Sequence, residues 1–213
     1  MHPKVMIFDF DGTIADTHHF MVEICNQLAP EYGYDPIPPE AVEVLRDRSA
    51  REVIEHLKVP VLKIPAIVAR AKRIFHEGIS RVQLIDGMHD TLHELHRHGV
   101  QLGILSSNDQ KNIETFLCNH DIHVFDFIYS ARTIWGKHHS LRKLIRKHNF
   151  DVAEVLYVGD ESRDIVAARQ SRIPSVAGAW GCNSHGHLSG ENPDHLLTDP
   201  HELLELCRTS STE

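Results

Sequence analysis

Two carboxylates, Asp9 and Asp11, stand two residues apart directly after a short apolar run at residues 5–8. Side chains alternate along an extended strand, so both carboxylates point to the same side if the strand continues to Asp11. Two carboxylates this close repel each other, and a folded protein keeps them charged only beside a compensating cation. The pair therefore predicts a cation site at the end of a buried strand.

Three further groups of polar residues follow apolar runs and complete a site for a phosphoryl group. They are Ser106, Ser107 and Asn108 after QLGIL, Lys137 after FIYS, and Asp160 and Asp164 after VLYV. In a parallel sheet, ligands bind beyond the carboxyl ends of the strands. The carboxylates there favour a hard divalent cation, above all Mg²⁺. Lys137 and the Ser106 hydroxyl remain to hold an anion on the other side of the metal.

Each of these residues also has a simpler structural explanation. Asp-Gly-Thr at residues 11–13 is also a turn sequence, and serines after a strand often cap the next helix. Lys137 also fits a solvated position at a helix start, and Asp164 would complement the dipole of a helix. Taken singly, Ser107, Asn108 and Asp164 are better explained in this way. The order and location of the four groups together favour the site.

Five apolar runs predict the buried strands that position these residues, namely 5–8, 101–105, 127–130, 155–158 and 175–179. Between the last four runs, apolar residues recur with the spacing of amphipathic helices, over 108–120, 138–149 and 161–171. Alternation of strands and helices with short connections predicts a parallel sheet covered by helices on both faces.

The segment between the first two strands breaks this alternation and predicts an all-helical insertion. Residues 17–84 contain no convincing strand, and helices are predicted over about 17–29 and 64–79. Another helix follows Ser49 and Glu52, which have the spacing of a capping box. A helix over about 88–98 leads back into the sheet. We therefore divide the chain into a catalytic core, residues 1–16 and 85–213, and a helical cap, residues 17–84.

The predicted insertion is basic although the chain is acidic. Nine Lys and Arg stand against four acidic residues between positions 46 and 81, while the whole chain has a net charge of −8. The solubility of surface helices explains most of these charges. Arg51 differs because it falls in the first turn of a predicted helix, where backbone amides favour anions. Arg46 is a weaker candidate for the same task.

The composition limits the classes of function. A length of 213 residues suits one core domain with a smaller module. The negative net charge disfavours nucleic-acid binding, which needs a basic surface. The four cysteines include no CxxC pair, and neither a signal peptide nor a membrane span is evident, so we expect reduced thiols in a cytoplasmic protein.

One further segment, CNSHGH, has the spacing of a transition-metal site. Cys182, His185 and His187 offer at most three soft ligands among Gly, Asn and Ser, with no second cluster to close the coordination sphere. A solvated loop is the favoured interpretation.

The four polar motifs resemble those of the haloacid dehalogenase-like hydrolase superfamily, in the order DFDGT, ILSSN, the lysine of GKHHSL, and VGDESRD. The resemblance covers the whole chain and is strongest to the phosphoglycolate phosphatase-like branch, whose helical cap follows the first motif. It implies an α/β fold with a Rossmann-like parallel five-stranded sheet and an inserted all-helical cap. Many relatives have proline after the lysine, whereas Lys137 precedes His138 here, and Lys143 is the alternative lysine.

The resemblance also implies roles for the motif residues. Asp9 would be the nucleophile that forms an aspartyl-phosphate, and Asp11 would act as acid and then as base. Mg²⁺ would be bound by the Asp9 carboxylate, the Asp11 backbone carbonyl and Asp160, with Asp164 supporting them directly or through water. Ser106 and Lys137 would hold the phosphoryl oxygens. The remaining predicted substrate contacts are Gly12, Thr13, Ser107, Asn108 and Arg51.

Several functions stay open at this point. The first is a Mg²⁺-dependent phosphatase for a small phosphorylated metabolite, and a phosphomutase related to β-phosphoglucomutase would use the same aspartate pair. A phospho-acceptor module resembling bacterial receiver domains is disfavoured by the DFDGT spacing and by the insertion. A catalytically idle relative that binds a partner is disfavoured because all the acidic residues and the lysine are present.

Overall fold

The computed structural model describes residues 3–48, 50–131 and 136–207. Its strands are, in chain order, β1 Val5–Phe8, β2 Ala15–Asp16, β3 Gln83–Leu84, β4 Gln101–Ser106, β5 Phe127–Ser130, β6 Val155–Gly159, β7 Ser175–Gly178 and β8 His195–Leu197. Six of them form one sheet in the order β5-β4-β1-β6-β7-β8, and every neighbouring pair is parallel. The other two, β2 and β3, form a separate antiparallel pair.

The predicted parallel α/β sheet is confirmed, but the predicted number of five strands is wrong. The sixth strand, β8, is three residues long and pairs with β7, where Val176 lies opposite His195. Two of its three residues are only half-buried. A short strand at the edge of a sheet therefore lacks the continuous apolar run that marks a buried strand.

Strand β1 lies at the centre of the sheet, and its burial explains its composition. Met6 and Phe8 pack into the hydrophobic cluster on one face, while Val5 and Ile7 pack into the cluster on the other. A strand that is buried on both faces is apolar at every position. The apolar run at residues 5–8 is therefore a consequence of helices covering both sides of the sheet.

The register of β1 brings the predicted polar residues to one edge. Phe8 is paired with Ile104 of β4 and with Val158 of β6. The Asp9 amide still donates to the Val158 carbonyl, at 2.8 Å, so the strand ladder extends just past Phe8. Because the three strands are parallel, the residues that follow them leave the sheet at the same edge.

Most helices in the described ranges lie close to predicted positions, but the second and the last have no predicted counterpart. The helices are α1 His18–Tyr32, α2 Pro39–Leu45, α3 Ala50–His56, α4 Ile64–Gly78, α5 Met88–Arg97, α6 Gln110–Asn119, α7 Lys137–His148, α8 Ser162–Ser171 and α9 His185–Gly190. Helix α1 continues through Pro30, where the sequence predicted its end, and stops before Gly33, which has a φ of 73°. The predicted capping-box residue Ser49 lies outside the described residues.

Helices α1 to α4 separate β2 from β3 in the chain and include most of the predicted insertion. The Phe20 and Phe75 rings join α1 to α4, with their centroids 5.6 Å apart. Strand β3 lies inside the segment predicted to be all helical, and it places Leu84 opposite Ala15. The two ends of the insertion are therefore adjacent. The division into a core and a cap stays a prediction.

None of the helices in the described ranges is both long enough and apolar enough to cross a membrane.

Candidate active site

The chain turns sharply after Asp9. The amides of Ile14 and Ala15 both donate to the Phe10 carbonyl, at 3.0 Å each, and the Gly12 amide donates to the Ala15 carbonyl. Gly12 has a φ of 75°, which an L side chain rarely adopts, and an added Cβ would overlap the Asp160 carboxylate. Glycine is therefore required here both by the turn and by the close approach of Asp160.

Three carboxylates converge at this edge of the sheet. One oxygen from each of Asp9, Asp160 and Asp164 lies within 4.8 Å of the others. All three residues are buried, with exposed fractions of 2% or less. We call these three residues the acid cluster. The sequence prediction that the first and fourth motifs meet is consistent with this geometry.

Lys137 lies against the acid cluster from the first residue of α7. Its Nζ atom donates to Asp9 Oδ2 and to Asp164 Oδ1, at 2.6 Å each. Burial opposes the charge on the ammonium group, but the carboxylates of Asp164 and Asp9 outweigh it and raise the pKa of Lys137 well above its ordinary value. Lys137 is therefore charged in this site. The alternative lysine, Lys143, is exposed on α7.

Asp160 is held on both of its carboxylate oxygens. Oδ1 accepts from the Thr13 hydroxyl at 2.6 Å, and Oδ2 accepts from the Cys182 amide at 2.7 Å. Burial, followed by the charges of the neighbouring acids, raises the pKa of Asp160 well above its ordinary value. Thr13, predicted to contact substrate, thus lies against Asp160.

The acid cluster fits a hard divalent cation. Three buried carboxylates against one ammonium leave an excess of negative charge, and burial disfavours that charge unless a cation balances it. Each carboxylate oxygen of Asp9 and Asp160 accepts one hydrogen bond and has a second lone pair beyond it. Oxygen donors of this kind are the ligands that Mg²⁺ prefers.

Asp11 lies beside the acid cluster and is held by Asn108. The Asn108 side-chain amide donates to both Asp11 oxygens, at 2.9 and 3.2 Å. Burial and then the Asp9 charge raise the pKa of Asp11 to about 7. A carboxyl group with such a pKa can both give and take a proton near neutral pH.

A chain of amides links Asn108 to the helical insertion. Asn108 Oδ1 accepts from the Asp109 amide at 2.8 Å and from the Asn112 side chain at 2.9 Å. Since both partners are donors, the NH₂ group of Asn108 must face Asp11. Asn112 Oδ1 in turn lies 2.5 Å from His76 Nδ1 on α4. The orientation of the amide at Asp11 is therefore tied to a residue of the insertion.

The predicted serines differ in their surroundings. Ser106 is fully buried at the end of β4, and its hydroxyl accepts a hydrogen bond from the backbone amide of Asn108 at 3.1 Å. Ser107 is half-buried. Ser106 therefore lies at the same strand edge as the acid cluster, as predicted.

The structure does not bring Arg51 to this edge. Its side chain is 87% exposed and pairs with Glu55 on the same helix, at 2.9 Å. Arg46 instead contacts the loop that follows β7, where its guanidinium donates to the backbone carbonyls of Gly181 and Cys182.

Residues 180–183 contact the site but were missed as contributors by the sequence analysis. Trp180 Nε1 donates to the Thr13 carbonyl at 3.1 Å, and the Cys182 amide contacts Asp160. The available signal was their location at the end of β7, on the same edge as the other motifs. The contact from Cys182 uses a backbone amide, so its side chain gives no sign of it.

Cys182, His185 and His187 do not form a metal-ligating group within the described part of the chain. Burial raises the pKa of the Cys182 thiol to about 12, while both histidines are exposed. The predicted solvated loop is therefore only partly right, because residues 181–184 form a loop but His185 and His187 lie on α9.

Comparison with known proteins identifies one family over most of the chain. The family model for haloacid dehalogenase-like hydrolases matches residues 6–178. A phosphoglycolate phosphatase from Synechococcus elongatus is 36% identical over 203 residues, which cover 95% of this chain and 96% of the relative. A phosphoglycolate phosphatase from Vibrio cholerae is 27% identical over an alignment that covers 98% of this chain and 98% of the relative.

The solved structures show the same fold. A haloacid dehalogenase-like family hydrolase from Streptococcus pneumoniae has a TM-score of 0.84 at 21% identity, covering 97% of this chain and 99% of that one. The resemblance predicted from the four motifs is therefore confirmed. The chain belongs to the haloacid dehalogenase-like hydrolases.

Proposed function

We propose that this protein is a Mg²⁺-dependent phosphatase that hydrolyses a small phosphorylated metabolite through an aspartyl-phosphate on Asp9. The observation that carries the proposal is the buried acid cluster with Lys137 bonded to two of its members. Carboxylates that hold a metal, next to a cation that holds an anion, are the two parts that phosphoryl transfer requires.

In the first step, an Asp9 oxygen attacks the phosphorus and the bond from phosphorus to the ester oxygen breaks. Asp11 gives its proton to the departing oxygen. In the second step, water attacks the phosphorus while Asp11 takes a proton from that water, the bond between phosphorus and the Asp9 oxygen breaks, and inorganic phosphate leaves the regenerated Asp9 carboxylate. The hydrogen bonds from the Phe10 amide and Lys137 to Asp9, and from Asn108 to Asp11, support these roles because they orient both carboxylates.

Mg²⁺ would be held by the carboxylates of Asp9 and Asp160 and by the backbone carbonyl of Asp11. Asp164 would support these ligands or act through water. When bound, Mg²⁺ neutralises the charge on the phosphoryl oxygens. Ser106 and Lys137 would hold those oxygens from the other side. Gly12 and Thr13 would shape the site through Asp160, while contacts from Ser107, Asn108 and Arg51 to the substrate stay predictions.

Phosphoglycolate is the first substrate that we propose, because the relatives from Synechococcus elongatus and Vibrio cholerae carry the name phosphoglycolate phosphatase. The four cysteines are free thiols, as expected for a cytoplasmic protein, and a cytoplasmic location is part of this proposal. The absence of a nucleic-acid partner stays a prediction from the negative net charge.

The test is phosphate release from phosphoglycolate, other small phosphoesters and nucleotides, with Mg²⁺ or with a chelator. We expect Mg²⁺-dependent release, and a loss of at least about 10⁴-fold in kcat for Asp9→Asn, as for other covalent nucleophiles. An Asp9→Asn variant as active as the parent would refute the assigned nucleophile. A sugar phosphate isomerised without net phosphate release would show a mutase instead.

A further inference from the structure

The loop of residues 181–184, which follows β7, lies between the acid cluster and the insertion. On the side of the acid cluster, the Cys182 amide donates to Asp160 Oδ2 at 2.7 Å, and the Asn183 amide donates to the Asp160 carbonyl at 3.2 Å. An added Cβ at Gly181 would overlap both Asp160 and the Gly12 carbonyl. The 181–184 loop is therefore packed directly against Asp160.

On its other side, the 181–184 loop is held by two adjacent residues at the end of α2. The Arg46 guanidinium donates through Nε to the Cys182 carbonyl at 2.5 Å and through Nη2 to the Gly181 carbonyl. Asp47 accepts from the Ser184 amide at 2.8 Å and from the Ser184 hydroxyl at 2.6 Å. Hydrogen bonds with a charged partner are about twice as strong as neutral ones.

Asn183 closes the connection between the two sides. Its side chain donates to the Arg46 carbonyl at 3.0 Å and accepts from the Ser162 amide, at the start of α8, also at 3.0 Å. Asn183 is itself buried. A displacement of Arg46 and Asp47 would therefore be transmitted through the loop to Asp160 and to the backbone that follows it.

We propose that Arg46 and Asp47 are positioning residues that set the affinity of Asp160 for Mg²⁺ by holding the Cys182 amide in place. The proposal rests on the proposed function, because it requires Asp160 to be a metal ligand. Hydrogen bonds behind a ligating carboxylate orient it and tune its affinity, and their loss commonly weakens metal binding about 10–100-fold. Asp47 acts through Ser184 and Cys182, so we expect a smaller effect.

The coupling is reciprocal. If the docked arrangement of Arg46 and Asp47 raises the affinity for Mg²⁺, then bound Mg²⁺ must favour that docking by the same factor. The insertion would thus be drawn onto the sheet when the metal is present. If Arg46 and Asp47 had a purely structural role, replacing either of them would lower the stability of the protein equally with and without Mg²⁺.

The experiment compares Asp47→Ala and Ser184→Ala with the parent and with Asp35→Ala. Asp35 is a matched control because it also makes a charged hydrogen bond in this segment, to Lys58 at 2.7 Å. Its hydrogen-bond partners among the described residues, Lys58 and Leu57, lie outside the 181–184 loop. The melting temperature of chelator-treated protein is followed over a MgCl₂ titration, which reports binding without any substrate. A second readout is kcat at saturating MgCl₂.

We expect the half-saturating MgCl₂ concentration to rise about 3–10-fold in Asp47→Ala, less in Ser184→Ala, and not in Asp35→Ala. Saturating MgCl₂ should restore kcat in both variants, because the ligands themselves are intact. Parent-like MgCl₂ dependence in Asp47→Ala and Ser184→Ala would overturn this inference and leave the proposed function standing. A parent that shows no Mg²⁺-dependent shift would overturn both.

Discussion

Lys137 donates to Asp9 and Asp164 at equal distances of 2.6 Å, and the burial of all three residues makes this contact sensitive to any change of charge. Lys137→Met removes the ammonium and keeps most of the side-chain volume. Two buried carboxylates would lose their cation, which costs about 3–5 kcal/mol in the free energy of unfolding. We also expect kcat to fall by at least about 10²-fold, since the phosphoryl oxygens lose their cation.

Urea unfolding and steady-state kinetics measure these two effects. Lys143→Met is the matched control, because Lys143 is an exposed lysine on the same helix. It should change the free energy of unfolding by no more than about 0.5 kcal/mol and leave kcat unchanged. If Lys143→Met lost activity while Lys137→Met kept it, the alternative lysine would be the functional one.

Residue types and their order indicated that the strand-end residues share one edge, but they also placed Arg51 there and gave no sign of residues 180–183. Asp9, Asp160 and Lys137 lie together because each follows a strand of one parallel sheet. The sequence could not predict that Arg46 contacts the 181–184 loop. Its partners, Gly181 and Cys182, are 135 and 136 positions away in the chain, and both contacts use backbone carbonyls. A carbonyl is present at every position, so the pattern of residue types carries no information about it.

At the scale of elements, a carboxylate joins the starts of β7 and β8. Asp194 Oδ2 accepts from the amide and the hydroxyl of Ser175, at 2.8 and 2.9 Å. Burial raises the pKa of Asp194, but these hydrogen bonds outweigh it and hold the pKa below its ordinary value of 3.8. The charged form therefore stabilises the pairing of the edge strand.

We expect Asp194→Asn to lower the free energy of unfolding at pH 7 by at most about 1 kcal/mol, because the side chain is exposed. A carboxylate with a depressed pKa stabilises the fold above its unfolded pKa, and this contribution is lost as the pH falls through the folded pKa. The difference between parent and variant should therefore persist down to about pH 4 and shrink below it. Urea unfolding at a series of pH values measures it, and a constant difference down to the lowest accessible pH would contradict the prediction.

The elements were predictable to the extent that burial leaves a periodic pattern. Strand β1 is buried on both faces, and its continuous apolar run identified it. Strand β8 exposes part of each of its first two residues, and β3 is two residues long, so neither has a run that stands out. Helix α1 passes through Pro30 because Ile24 and Leu28 pack in the core, and tertiary packing outweighs the local cost of the proline.

At the scale of the whole molecule, one hydrophobic cluster extends from the sheet into the insertion. It contains Met6 and Phe8 of β1 as well as Phe20 of α1 and Phe75 of α4. A shared core predicts that the sheet and the helices unfold in a single cooperative transition.

Phe75→Ala tests this continuity, since Phe75 is buried against Phe20. We expect the free energy of unfolding to fall by about 3–5 kcal/mol. Circular dichroism reports all helices, and tryptophan fluorescence reports Trp135 and Trp180, which both lie after the insertion in the chain. The two transitions should remain coincident. Val68→Ala, at a position on the same helix that is 46% exposed, is the control and should have little effect.

Separate transitions in Phe75→Ala, with fluorescence unchanged from the parent, would show that the insertion has its own stability. The continuous cluster would then be a contact surface between two independently folding units.

The antiparallel pair of β2 and β3 has a mechanical consequence for the insertion. The chain leaves for α1 just after Ala15 and returns at Leu84, and these two residues are paired. The segment that enters the insertion and the segment that leaves it therefore form one antiparallel pair. A movement of either segment would displace the other. The outgoing strand is also bonded to the turn after Asp9, through the Gly12 amide and the Ala15 carbonyl. Any rotation of the helices of the insertion would thus also move the carboxylates of the first motif, because only a few hydrogen-bonded residues connect them.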